Sequence, residues 1–470
     1  MSKFRDYDQQ QGVMKVIIPD ELLETNHPAR LIDKVVESLD LKQIYSDYEE
    51  EGNEAYHPKM MLKVLFYAYY IGVMSGRGIW EELKVRADFI FLSGDQVPDF
   101  RTINRFRVRH IEALSGLFTQ IVMICVKLGM VGFEHLAVDG EKIQANASLQ
   151  KSMNLEGLQK AYGRAKDGIR KLLEQDVDEH FTVEKRGKRI DVLDRRIRQL
   201  DKFRKELEDI EADKRLNITD PESKVMTHKD GHKDASYNHQ SAIDGKYGVT
   251  TAVITKGHED KPEDLYKLVD KSKENTQQSH KVVAADSGFN SLEVMKIAAE
   301  DREENILVPD RRYSVDEKGE SGKRSFDPGH FKIGETTAEC PMGQEMDLVS
   351  VKRYNEGHTT RIYAGKFCGA CVVRGKCTSG KTRTIAVDSR NKYKELMRDK
   401  LRSVAGRELY MKRQGIIENA HGNDQKNKGW IQHHLRSKRK ASLEFMLIRM
   451  VSNLAKIIRF RAEEFMFMVT

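Results

Sequence analysis

FEHLAVDGEKIQA, residues 133–145, is the stretch that decides the fold. A short apolar run, Leu136 to Val138, stops at Asp139-Gly140, as a buried strand does when it delivers a carboxylate to a sheet edge. A second run, HKVVAADSGFN at 280–290, ends in the same way at Asp286. Between them YNHQSAIDGKYGVTTAVITKG, 237–257, is two β-rich stretches around a Gly-Lys turn and predicts a hairpin. KPEDLYKLVDKSKE and SLEVMKIAAED carry helical periodicity, and ENILVPD, 304–310, predicts a fifth strand. The order is β, insertion, β, β, α, β, α, β, an α/β core.

Upstream, from about Asp20 to Leu128, apolar residues recur three and four apart through MMLKVLFYAYYIGVM and IEALSGLFTQIVMICVKLGM, which predicts an all-α domain. Within it PDFRTINRFRVRH starts a helix at Asp99, and Arg101, Arg105 and Arg109 recur every fourth residue while Ile103 and Phe106 anchor the other side. Such a stripe suits a DNA backbone, with GRGIWEELKV as the first helix of a helix-turn-helix pair; a solvated arginine face is the equal alternative. Downstream of Asp139 a heptad runs through Leu155, Leu158, Tyr162, Ala165, Ile169 and Leu172, then Leu193, Ile197, Leu200, Phe203, Leu207 and Ile210. It predicts an antiparallel helical hairpin with its tip near HFTVEKRGKRID and a structural role. The terminal SLEFMLIRMVSNLAKIIRF has an apolar face and is expected to pack on the core.

The chain has 470 residues, 39% hydrophobic and 33% charged with 9 prolines, which excludes disordered and collagen-like classes. A net charge of +7 does not by itself identify nucleic acid; its local clustering in Arg101 to Arg109 and Arg436 to Lys440, away from acidic runs such as Glu49 to Glu51, says more. The start MSKFRDYDQQQGVMK has no apolar signal region, and the apolar stretches Met60–Met74 and Phe118–Phe133 each carry a lysine and fall short of the roughly 20 residues of a spanning helix. The expectation is a cytoplasmic protein with no membrane association.

Four of the five cysteines form the pattern C-x27-C-x2-C-x5-C: Cys340, Cys368, Cys371 and Cys377. Thiolates so grouped suit a tetrahedral zinc site that folds a segment lacking its own core; four reduced or redox-active thiols are the alternative. Cys125 sits in an apolar helix and is core.

Two strand-end aspartates and a later helical carboxylate, Glu418, are the donor set that holds two divalent ions at a phosphodiester. With YHPKMMLKVLFYAYYIGVMSGR, VPDFRTINRFRVRH, LAVDGEKIQANAS, YNHQSAIDGKYG, VVAADSGFNS and YMKRQGIIE in this order, the chain resembles the DDE insertion-sequence transposases in the branch with an N-terminal helical domain, over nearly its whole length. The resemblance implies a ribonuclease H-like core with Asp139, Asp286 and Glu418 as the catalytic triad and Mg2+ or Mn2+ as cofactor. It implies cleavage of double-stranded DNA at the element's ends, strand transfer into target DNA, and a homo-oligomer assembled on DNA. Tyr410 and Arg413 match the family's third motif, but the residue seven after Glu418 is Gln425 rather than lysine; either Lys426 is the substitute DNA contact or the loop is shifted. A catalytically inactive DNA-binding regulator and a same-fold nuclease without strand transfer remain alternatives.

The expected division is an all-α domain over 1–130, a catalytic core over 131–150, 216–310 and 391–470, a helical hairpin over 151–215 and a Cys-rich insertion over 311–390. Of the other acids, Asp244 and Asp310 are assigned to turns, and the neighbouring His239 and Gln240 to packing.

Overall fold

The computed structural model describes residues 9–10, 18–48, 54–174, 182–208, 215–258, 260–310, 326, 330–355 and 357–469. In chain order the principal elements are α1 (Pro28–Ser38), α2 (Pro58–Tyr70), α3 (Gly76–Leu83), α4 (Ala87–Ser93), α5 (Phe100–Arg109), α6 (Ile111–Lys127) and β1 (His135–Gln144). Then come α7 (Leu155–Glu174), α8 (Val183–Glu208), β2 (Lys224–Thr227), β3 (Lys233–Asp244), β4 (Thr250–Lys256), α9 (Asp264–Thr276), β5 (Val282–Ala285), α10 (Leu292–Glu300) and β6 (Asn305–Leu307). They are followed by β7 (Lys332–Ile333), β8 (Thr337–Glu339), β9 (Glu345–Arg353), β10 (Thr359–Gly365), β11 (Thr384–Asp388), α11 (Asn391–Arg402), α12 (Val404–Gly422), α13 (Lys438–Phe460) and α14 (Ala462–Val469). Contacts divide the chain into two compact units, one of residues 1–129, 143–236 and 423–470, the other of 130–142 and 237–422.

The first unit is largely helical. Asp99 caps α5 by accepting from the amides of Arg101 and Thr102, which fixes the helix start where the sequence places it. Ile103 and Phe106 are buried, and Arg101, Arg105 and Arg109 are exposed on one face. The segment GRGIWEELKV does form a helix, α3, packed on α5, but α4 intervenes, so the two are not consecutive as a helix-turn-helix pair requires. The intervening helix, ADFIFLS, is seven residues long, too short for its sequence to show a period.

α13 packs on α2 and α6 of this unit. The sequence grouped 391–470 with the catalytic core. Leu443, Phe445, Leu447, Ile448, Met450, Val451 and Leu454 are all buried, so α13 is apolar nearly all round and its sequence does not reveal which element it faces. Charges go inside with it. Glu444 accepts from His433 Nδ1 at 2.9 Å and from the amides of His434 and Leu435, while Arg449 and Asp424, both fully buried, pair at 3.2 Å. Although burial pushes the Glu444 carboxyl up, the hydrogen bonds from His433 and His434 outweigh it and hold the group at about 2. Arg107, also buried, donates to Tyr69 Oη, the Met74 carbonyl and Asn104 Oδ1.

α7 and α8 form the helical hairpin. Leu158 and Ala161 pack with Leu200 and Phe203, and a Cβ at Gly168 would meet Leu193, so contacts advance on one helix as they retreat on the other. The pair is antiparallel, as the heptad predicts. α8 begins at Val183, so most of HFTVEKRGKRID is helix rather than tip; Ile210 and Glu49 to Glu51 lie outside the described residues.

The second unit is built on a mixed sheet ordered β3-β1-β5-β6, with β4 also on β3; β1 and β3 run on into the first unit, where β2 pairs with the start of β3. β1, β5 and β6 are parallel neighbours, and β3 and β4 form the antiparallel hairpin. Helices cover both faces: Leu265, Leu268 and Val294 pack on Leu136, Val138, Val283 and Ala285, while Tyr393, Met397, Leu401, Ile417 and Ala420 pack on Ala137, Val282, Ala284 and Ile243.

The Cys-containing region differs from the sequence expectation. It carries a five-stranded antiparallel sheet ordered β11-β10-β9-β8-β7 with a core of Phe331, Ala338, Met346, Tyr363 and Ile385. These strands have one mostly solvated face, so few apolar residues mark them and no period stands out. Among the described residues no single helix is long and apolar enough to cross a membrane.

Candidate active site

Val138 on β1 pairs with Ala285 on the parallel strand β5, so Asp139 and Asp286 are the next residues on neighbouring strands, side by side. Side chains alternate along a strand. Ala137 and Ala284, two residues before each aspartate, pack beneath the α11–α12 layer, which puts both carboxylates on that same face. β1 does not stop at Asp139, however; it continues to Gln144, because Ile143 is buried and keeps the alternation. Asp139 is thus a mid-strand residue that is 6% exposed, and Asp286 follows its strand directly, accepting from the Ser287 amide.

α12 brings basic groups to Asp139. Arg413 Nη2 donates to Asp139 Oδ1 at 2.9 Å and its Nε reaches the Val138 carbonyl at 3.4 Å. His421 Nδ1 lies 3.8 Å from Asp139 Oδ2, with Nε2 3.9 Å from Glu141. Arg413, which the sequence assigned to DNA, is therefore engaged by a candidate ligand. Tyr410 is half-buried against the cluster of Val282, Ala284 and Leu307. Glu418 is on the same helix but exposed, accepting from Gln414 Nε2 at 2.8 Å. The structure thus brings Asp139 and Asp286 together and leaves Glu418 on the flank of the helix that covers them.

The other acids have settled partners. Asp244 is buried, accepts from the amides of Gly132, Phe133 and Lys246, and faces His280 at 3.3 Å. Burial raises its carboxyl, but His280 and those amides prevail and hold it below the usual range. Asp310 accepts from Arg398 at 2.6 Å. His239 is fully buried against Thr255 Oγ1. Gln240 is also buried, yet it donates to Asp260 at 2.7 Å, as Asn238 does at 2.8 Å. The sequence did not single out Asp260, Asn238, His421 or Glu141. The one available signal was YNHQ, where two amides two residues apart share a face of an otherwise apolar hairpin.

Past α12 the chain makes a π-helical turn over Asn423–Asn427. This wider turn falls where the motif spacing departs from the family's, between Glu418 and the expected lysine. Lys426 is exposed on it; Lys428 is buried beside Asp424 at 3.7 Å.

Arg101, Arg105 and Arg109 stay exposed, although the Arg109 guanidinium also donates to the Asp47 carbonyl and lies 5.2 Å from the centre of the Tyr48 ring.

Cys340, Cys368, Cys371 and Cys377 line one cavity, with Pro341, Phe367 and Arg383. The Arg383 amide donates to Cys368 Sγ at 3.4 Å, and a Cβ at Gly365 would come within 2.6 Å of that sulfur. Burial, with the other three thiols close by, raises the Cys377 thiol. The thiols converge without reaching ligand spacing: among the described residues only His228, His232 and Asp234 have ligand atoms within 4.8 Å of one another.

Two family models match the chain: Transposase domain (DUF772) over residues 18–109 and Transposase DDE domain over 339–458. The second contains the cysteine region and Glu418, and begins after Asp139 and Asp286. No curated protein and no solved structure matches.

Proposed function

We propose that this DDE transposase, with its N-terminal transposase domain at 18–109 and its DDE domain at 339–458, works through a metal centre built on Asp139, Asp286 and Glu418. The observation that carries the proposal is the register of β1 and β5, which sets two carboxylates side by side under α12. Such a pair repels unless a cation lies between, and Arg413 supplies one positive charge for two negative ones. The strand order with β1, β5 and β6 parallel and β3–β4 antiparallel supports a ribonuclease H-like core.

Oxygen-only donors fit Mg2+ or Mn2+. Divalent ions at such a centre make the attacking oxygen a better nucleophile and stabilise the leaving oxygen of an in-line displacement. Asp139 and Asp286 would hold them, and Arg413 keeps the Asp139 carboxylate oriented. Glu418 joins by giving up its bond to Gln414, within one helix whose face already lies on Ala137 and Ile243. The same centre serves cleavage at the element's end and attack of the freed 3′-hydroxyl on target DNA. Arg101, Arg105 and Arg109 supply backbone contacts, Tyr410 packs behind the site, and Lys426 is the basic residue beyond Glu418. Paired ends call for a homo-oligomer on DNA.

The four cysteines are proposed to hold structural zinc, for which the shared cavity and the amide donated to Cys368 speak. Purified protein should contain zinc close to one atom per chain by elemental analysis. Metal-free protein that keeps its β-sheet signal would overturn that assignment.

The test of the main proposal uses DNA from the flanks of the chain's own gene. Asp139→Asn should abolish Mg2+-dependent cleavage while DNA binding persists, and retained cleavage sinks it. Cleavage by the unaltered protein without joining of the cut end to target would point to a nuclease; binding without cleavage would point to a regulator.

A further inference from the structure

The glycines after the two aspartates are not there for backbone conformation. Neither Gly140 nor Gly288 has a positive φ. What they share is a neighbour. A Cβ at Gly140 would lie 2.5 Å from Asp260 Oδ1 and 2.9 Å from Oδ2, and a Cβ at Gly288 would lie 3.3 Å from the Asp260 Cβ. Asp260, from the loop between β4 and α9, is thus seated where two side chains would otherwise be, one residue beyond Asp139 and two beyond Asp286.

The seat is polar and incomplete. Asn238 Nδ2 and Gln240 Nε2 both donate to Asp260 Oδ1, which leaves Oδ2 free to accept. The two amides are 1% and 0% exposed, and their oxygens, Asn238 Oδ1 and Gln240 Oε1, have no hydrogen-bond partner. Asn238 Oδ1 would lie 3.0 Å from a Cβ at Gly140, so it is aimed at the same gap. Burying amide oxygens unmatched is costly, so the two oxygens suit a donor or a cation. Alternation puts Gly140 on the face opposite Asp139, so Asp260 comes from the α9 side and Asp139 from the α12 side, and beside them β5 ends at Ala285, so that strand does not continue past Asp286.

We propose that Asp260 is a fourth carboxylate of the metal centre, held by Asn238 and Gln240 against the glycine gaps and taking part in divalent-cation binding with Asp139 and Asp286. The inference rests on the metal centre proposed above. It assigns a role to the amide pair in YNHQ and a reason to the glycines in Asp-Gly and Asp-Ser-Gly.

The test is Mn2+ binding to the full chain, read by the electron paramagnetic resonance signal of free Mn2+, with the thermal midpoint of each variant measured alongside. Asp260→Asn should weaken binding about tenfold or more at an unchanged midpoint. Gly140→Ala should weaken it too, because its methyl group displaces the Asp260 carboxylate without removing it. Asp260→Asn binding Mn2+ as well as the parent, while Asp139→Asn does not, overturns the role of Asp260 and leaves the triad. Loss in Asp260→Asn with none in Asp139→Asn overturns the triad and the shared centre with it. Parallel loss of affinity and midpoint in both Asp260→Asn and Gly140→Ala makes Asp260 a packing residue, which also overturns the proposal. A parent protein that takes up no Mn2+ overturns both.

Discussion

Two polar clusters of this chain, one in each unit, obey opposite rules. Around Glu444 and Asp424 every buried charge has an opposite charge or a row of amides within reach: His433 on Glu444, Arg449 and Lys428 on Asp424. Around Asp139, Asp286 and Asp260 acids outnumber bases and two buried amide oxygens stay unmatched. In the first cluster opposite charges meet in ion pairs of 2.9, 3.2 and 3.7 Å, as burial in a low-dielectric interior demands. In the second the one arginine in place, Arg413, pairs with Asp139. That contrast separates charges that hold the fold from charges held ready by it.

The sharpest way to break the comparison is to neutralise one member of each cluster. Asp139→Asn or Asp286→Asn should slow Mg2+-dependent DNA cleavage roughly a thousandfold or more, since a lost ligand forfeits several kcal/mol of charge stabilisation, and should leave the unfolding midpoint in place. Asp424→Ala should do the reverse in kind, lowering stability in urea by about 3 to 5 kcal/mol because the buried Arg449 loses the carboxylate it pairs with. An Asp424→Ala protein as stable as its parent would erase the distinction.

A smaller effect comes with pH. The Glu444 carboxyl is held at about 2 in the fold against 4.5 for the free group, so its contribution, of order 3 kcal/mol, is present above pH 4.5 and drains away as pH falls toward 2. Urea midpoints measured across that window should fall for the parent and fall less for Glu444→Gln. The least effect is expected at the arginine stripe: Arg105→Ala should reduce the salt dependence of DNA binding by about 0.9 in log–log slope, one phosphate contact, without touching stability. An unchanged slope would make Arg105 a solvated side chain.

The succession of strands and helices in the core was legible because VVAAD, NILV and the 237–257 hairpin are short apolar runs closed by turn residues. The end of β1 was not, since Glu141 and Gln144 read as loop while the buried Ile143 between them keeps the strand going. The two aspartates were legible from their position after apolar runs. Asp260 was not, because in sequence it is one acid among several in HEDKPED, and only the folded chain brings it to the glycines. The five strands after Phe331 escaped notice for the opposite reason, having too few buried residues to stand out. Glu418 rests on the motif, and its exposed setting could not have been read from a helix with apolar and charged residues on several sides.

The position of α13 also bears on how the protein is made. Its partners α2 and α6 leave the ribosome early, whereas Lys438 lies 311 residues beyond Lys127. Synthesis at about 5 to 20 residues per second leaves the surfaces of α2 and α6 that α13 covers without their lid for roughly 15 to 60 seconds. During that interval the nascent chain is a client for chaperones, and a gene copy truncated before α13 would yield an aggregating product rather than a smaller working one.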